Sequence, residues 1–124
     1  SILIEISNKV WLTDKDLDEL AKSDTGCQWL AEKSRNWITQ WKEQGESGFN
    51  PFDVLASHYI IAPEDIIAEN LNAHLEIHPN DMVGENQKTE FKQYLLCDQS
   101  SGFPVKYCYD VVEDYHEKLM KSLK

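Results

Sequence analysis

Apolar and polar residues change their period several times along this chain, and each change marks an element. Ile2-Leu3-Ile4-Glu5-Ile6 is almost continuously apolar, the pattern of a strand covered on both faces of a sheet. Val10-Trp11-Leu12 leads into Thr13-Asp14-Lys15-Asp16-Leu17, where Thr13 caps a helix, Asp16 takes the capping-box position and Leu12 staples to Leu17. That short helix runs to about Lys22. A longer helix starts at Asp24 or Thr25, because Cys27, Leu30, Ala31, Ser34, Trp37, Ile38 and Trp41 recur at spacings of three and four. Their stripe reads as a packing face. Gly45-Glu46-Ser47-Gly48 breaks the pattern with a loop.

The next helix opens at Asn50, turns Val54, Leu55, Tyr59 and Ala62 inward and must end before Pro63. Leu71 to His78 alternates strictly between apolar and polar, which predicts a strand with one wet face. Pro79-Asn80-Asp81 reads as a turn and Gly84 to Lys88 as a loop. Tyr94-Leu95-Leu96-Cys97 and Val105-Lys106-Tyr107-Cys108-Tyr109 read as short strands joined through a turn at Ser100-Ser101-Gly102. A last helix, between Val111 and Leu123, gathers Val112, Tyr115, His116, Leu119, Met120 and Leu123 on one side. Glu113 and Asp114 open it and Lys118, Lys121 and Lys124 close it, the order the helix dipole favours. No internal repeat is present. The whole is an α/β or α+β pattern with too few strands to complete a covered sheet alone.

Within this order, Gly48-Phe49-Asn50-Pro51-Phe52-Asp53-Val54-Leu55-Ala56 has the densest local signals. Asn50 reads as a cap, Pro51 as the first helical residue, and Asp53 as a first-turn carboxylate facing the positive end of the dipole. Phe49 and Val54 are spaced for a staple. A carboxylate held there serves either the helix or a bound cation.

The chain has 124 residues and 14.4 kDa, at most one domain spanning 1–124. Twelve Lys and Arg stand against 22 Asp and Glu, a formal charge of -10, and this field argues against nucleic acid as a partner. Four Trp and 41% hydrophobic residues argue for a folded chain, and no apolar run reaches the roughly 18 residues of a membrane span. Cys27, Cys97 and Cys108 are odd in number and far apart, as expected of reduced core residues in a cytoplasmic protein. Opening inside an apolar strand suggests a piece of a longer protein.

His74-Leu75-Glu76-Ile77-His78 offers three ligand types in five residues. On a strand, however, the two imidazoles stand roughly 13 Å apart, too far to share one zinc ion. No nucleophile elbow, Walker loop or dinucleotide fingerprint is present. His58 reads as a core-edge histidine or as the lining of a site, and His116 as a half-buried helix residue.

Gly48 to Pro63, G-F-N-P-F-D-V-L-A-S-H-Y-I-I-A-P, resembles the late helix of the nucleoside hydrolase family, with an aromatic or His residue, then Asp, a small apolar run and Pro. The opening strand with Val10-Trp11-Leu12-Thr13, and the downstream strand, Pro-Asn turn, two strands and closing helix, follow that family's C-terminal order. The resemblance covers nearly all of this chain but about the last third of such an enzyme. It implies an α/β fold, the C-terminal part of a mixed or parallel sheet with flanking helices, and cleavage of the N-glycosidic bond of ribonucleosides by calcium-bound water. It further implies Asp53 as a late calcium ligand, Phe52 at the position facing the leaving base, and Asn50 toward the sugar or the metal shell. With Phe at 52 rather than His, stacking on a purine-like base is the expectation.

The family's aspartate-rich D-x-D-P-x-x-D-D motif is missing, so no catalytic residue is assigned in this chain. One carboxylate does not satisfy a cation that takes 6 to 8 oxygens. The expected partner is therefore the N-terminal part of the same protein, as a continuous or separate chain, with a small-molecule nucleoside and room for assembly into a homo-oligomer. A different class of reading is a non-catalytic module whose acidic surface docks basic partners; it requires Asp53 to be satisfied by backbone N–H groups. A small metal or redox protein built on His and Cys is the weakest reading.

Overall fold

Thr13 shows how local chemistry sets the first boundaries. Its N–H donates to Asp16 Oδ2 at 2.8 Å and its hydroxyl to the same oxygen at 3.0 Å, so helix α2 (Asp14–Leu20) starts where the capping box places it. Asp24 likewise accepts from the Cys27 N–H at 2.8 Å and opens α3 (Thr25–Glu43). The computed structural model describes residues 4–80 and 90–124. Ile2, Leu3, Asp81 of the expected turn, and the expected loop at Gly84 to Lys88 lie outside the described residues.

The element order is α1 (Ile4–Ser7), β1 (Leu12–Thr13), α2, α3, β2 (Gly48–Phe49), α4 (Phe52–Ile61), a 3₁₀ turn (Pro63–Asp65), β3 (Ile66–Pro79), β4 (Phe91–Asp98), β5 (Phe103–Val111) and α5 (Tyr115–Leu123). Two findings overturn the expected fold. The described part of the opening apolar run is not a strand: Ile4–Ser7 is one helical turn, with Ile6 and Ser7 buried. Among the described residues there is no parallel sheet, only an antiparallel pair β1-β2 and a three-stranded sheet in the order β4-β3-β5. The architecture is α+β, and the nucleoside-hydrolase-like parallel sheet is not present in it.

The chain divides into two compact units. The first combines residues 4–67 with Cys108–Lys124 and holds the core: Ile6, Val10, Leu12, Leu17, Leu20, Cys27, Ala31, Ile38, Phe49, Leu55, Ile66, Cys108, Tyr115, Leu119 and Met120 are buried together. Arg35 and Lys42 of α3 pair with Asp14 and Asp18 of α2, tying the two helices on their wet side. Gly48 is required where β2 meets β1, because a Cβ there would overlap the Leu12 carbonyl. The ends of the adjoining strands close on each other, the Val112 N–H donating to the Asp65 carbonyl at 3.1 Å.

The second unit spans Ala68–Tyr107. There β4 runs antiparallel to the second half of β3, with Leu75 opposite Leu95 and Pro79 opposite Phe91, and the Asn80 N–H donates to the Glu90 carbonyl at 2.8 Å just beyond. The alternation from Leu71 to His78 does mark a strand. Two of its apolar positions, Leu75 and Ile77, are exposed, whereas Leu71, Ala73, His74 and Glu76 are half-buried. The three cysteines are unbridged, with Cys27 and Cys108 buried. Among the described residues no helix is long and apolar enough to cross a membrane.

Candidate functional site

The mouth of α4 opens into a cleft of about 280 Å³. Leu12, Leu17, Leu20 and Leu30 supply its apolar floor, Trp37 and Phe49 aromatic walls, and Asn50, Pro51, Phe52, Asp53 and Val54 its lip, with Leu123 closing one end. Its volume sits near the lower limit of small-molecule sites, and its mostly apolar lining with a few polar groups is the usual composition of one. The three site residues expected from the sequence, Asn50, Phe52 and Asp53, therefore share one surface.

Their roles differ from the local reading. Asn50 does not cap the helix with its side chain. Pro51 occupies the N-cap position, and the Asn50 amide is buried with Nδ2 donating to the Val10 carbonyl at 2.8 Å. A bond across 40 residues wins because the Val10 carbonyl is buried and has to be satisfied. Asn50 is thus held by the fold rather than free for a sugar. Phe52, 37% exposed, leans on Trp41 at 6.1 Å between ring centroids, and Trp41 meets Trp11 edge-on at 5.7 Å. Asp53 is exposed in the first turn of α4, and its carboxylate makes no hydrogen bond or ion pair with the described residues.

The donor set does not complete a calcium shell. Asp53 brings one carboxylate to the cleft, and among the described residues no group of three His, Cys, Asp or Glu stands close enough to hold a metal ion. His74, Glu76 and His78 share one face of β3, yet each imidazole takes its own Glu76 oxygen: His74 Nε2 lies 2.9 Å from Oε1, and His78 Nε2 lies 2.6 Å from Oε2. These two hydrogen bonds hold the Glu76 carboxyl below its usual range, His78 contributing most. The two imidazole nitrogens thus converge on one carboxylate, closer together than the rise of the strand alone predicts. The bridging carboxylate was legible in the same spacing, since positions two apart on a strand share a face.

A second polar cluster lies away from the cleft. His58 is buried, with Nε2 at 2.9 Å from Asp65 Oδ2, and Lys118 Nζ donates to Asp65 Oδ1 at 2.8 Å. The Lys118 bond, then that of His58, depresses the Asp65 carboxyl. Tyr115 packs edge-on to His58 at 5.1 Å, and its buried hydroxyl has no hydrogen-bond partner among the described residues. Burial, helped by the Asp65 charge, pushes this phenol up to about 12. His58 is therefore a core residue in a tie between α4, the 3₁₀ turn and α5, and it does not line the cleft. His116 is half-exposed and pairs with Asp16 at 3.1 Å.

Sequence reasoning missed Leu30, Trp37 and Leu123 as cleft residues. Leu30 and Trp37 belong to the stripe read as packing, and their exposure of 37% and 46% follows only from where α3 lies against the α4 mouth. Comparison of the chain with protein families, with curated proteins and with solved structures yields no match.

Proposed function

We propose that the α4 mouth forms one wall of a nucleoside site in a protein that cleaves N-glycosidic bonds, as the resemblance of Gly48 to Pro63 implies. The observation that carries this reading is the unpaired Asp53 carboxylate at the lip of an apolar cleft. A purely capping aspartate would be bonded to backbone N–H groups, and this one is not. Asp53 is then the carboxylate offered to a ribose-orienting calcium, and Phe52 the aromatic wall toward the base. Asn50 acts indirectly by anchoring the turn that presents both. The remaining oxygen ligands and the general base are supplied by a further segment, so no chemical step is assigned to this chain's own residues. The unbridged cysteines support a cytoplasmic setting.

The test measures calcium content and reducing-sugar release from inosine and uridine, on the protein with any polypeptide that copurifies. Calcium-dependent ribose release, abolished in Asp53→Asn with an unchanged circular dichroism spectrum, is the expected result. A lone 14.4 kDa species, metal-free and inert, overturns it. It would leave the second reading, a non-catalytic module whose acidic surface docks basic partners, for which the net charge of -10 speaks.

A further inference from the structure

The two faces of the β3–β4 hairpin differ in kind. One carries His74, Glu76 and His78, both imidazoles being within hydrogen-bond distance of the Glu76 carboxylate. The other, by register, sets Leu75 beside Leu95, Ala73 beside Cys97 and Pro79 beside Phe91, with Ile77 beside Gln93. Leu75, Ile77, Phe91 and Leu95 are 63%, 66%, 58% and 48% exposed. Between residues 73 and 79 and between 91 and 97 this face bears no charged side chain, in a chain of net charge -10.

We propose that this face is a self-association surface, covered by the same face of a second copy across a two-fold axis. The proposal stands independently of the nucleoside reading. Area supports it first. At these exposures, and taking roughly 200 Å² per large side chain, each copy offers roughly 450 Å² of apolar surface. A face-to-face pair then removes roughly 900 Å², the size of a weak, reversible interface. Charge supports it next. Two acidic molecules repel, so their contact must fall where neither brings a carboxylate, and this face meets that condition. A basic partner, which the acidic field attracts elsewhere, finds nothing here to pair with. Shape agrees: antiparallel sheets stack face to face about 10 Å apart, and a two-fold axis needs only one self-complementary patch.

The experiment is sedimentation equilibrium of the whole chain up to about 200 μM, at low and high salt. The expected mass is twice 14.4 kDa, with association tightening as salt screens the like charges. Leu75→Lys and Leu95→Glu, each at an exposed position, should weaken the dissociation constant at least about tenfold while the circular dichroism spectrum stays native. Should one variant fail to fold, the other gives the same reading. A wild-type monomer throughout, a dimer that loosens with salt, or a dimer equally tight in both variants overturns the proposal.

Discussion

Asn50 and Asp53 sit three residues apart on the same lip, and the structure gives them opposite dependences. Removing the Asn50 amide by Asn50→Ala leaves the Val10 carbonyl buried without its donor and opens a small void in a site that is 2% exposed. The unsatisfied carbonyl alone costs about 1–3 kcal/mol. For a chain of this size that corresponds to a melting temperature lower by roughly 5–15 °C. Asp53→Asn removes no bond among the described residues; the loss is its favourable position at the helix N-terminus, about 0.3–1 kcal/mol. Thermal melts by circular dichroism and urea melts by Trp fluorescence measure both. The reasoning fails if Asn50→Ala unfolds within about 0.5 kcal/mol of wild type, or if Asp53→Asn costs more than about 2 kcal/mol. Either result would mean that Asp53, not Asn50, secures the turn.

Two further outcomes follow from single positions. Gly48→Ala drives a methyl group into the Leu12 carbonyl between β1 and β2, so a loss of about 1–3 kcal/mol is expected in a urea melt, and a neutral effect would refute the close approach. Tyr115 has a folded pKa raised from 10.0 to about 12, so its contribution to stability is intact below pH 10 and is lost as pH climbs through about 12. Tyr115→Phe removes an unpartnered buried hydroxyl and should be neutral or stabilising by about 1 kcal/mol, with a flatter decline of stability in alkali; an equally steep decline would contradict it.

What could be read in the sequence was local. The capping box at Thr13, the cap at Asp24, the period of α3 and the three downstream strands each rest on residues within a few positions of one another. Ile2-Leu3-Ile4-Glu5-Ile6 reads as a strand because so short an apolar run carries no period to contradict it, whereas its described part lies in a helical turn with Ile6 buried. Asn50 was misread because its partner is Val10, and no local rule weighs a buried carbonyl 40 residues away. The alternation at Leu71 to His78 marks a strand, while which of its faces is covered was not legible there. Alternation separates two faces but does not say which one is covered. Asn50, Phe52 and Asp53 were legible as one helix mouth. That Trp37 and Leu123 complete the cleft depended on packing alone.

The bond from the Val112 N–H to the Asp65 carbonyl has a consequence for how the molecule is made. The core draws Leu17 and Leu20 from early in the chain and Tyr115, Leu119 and Met120 from its last helix, with Ala68–Tyr107 lying between as an excursion whose ends meet. The core is therefore complete only once residues on both sides of that excursion are brought together. The entropy of closing such an excursion grows only as the logarithm of its length, about 0.6 kcal/mol per doubling. Changes in the length of the excursion should therefore cost the core little as long as its two ends stay paired.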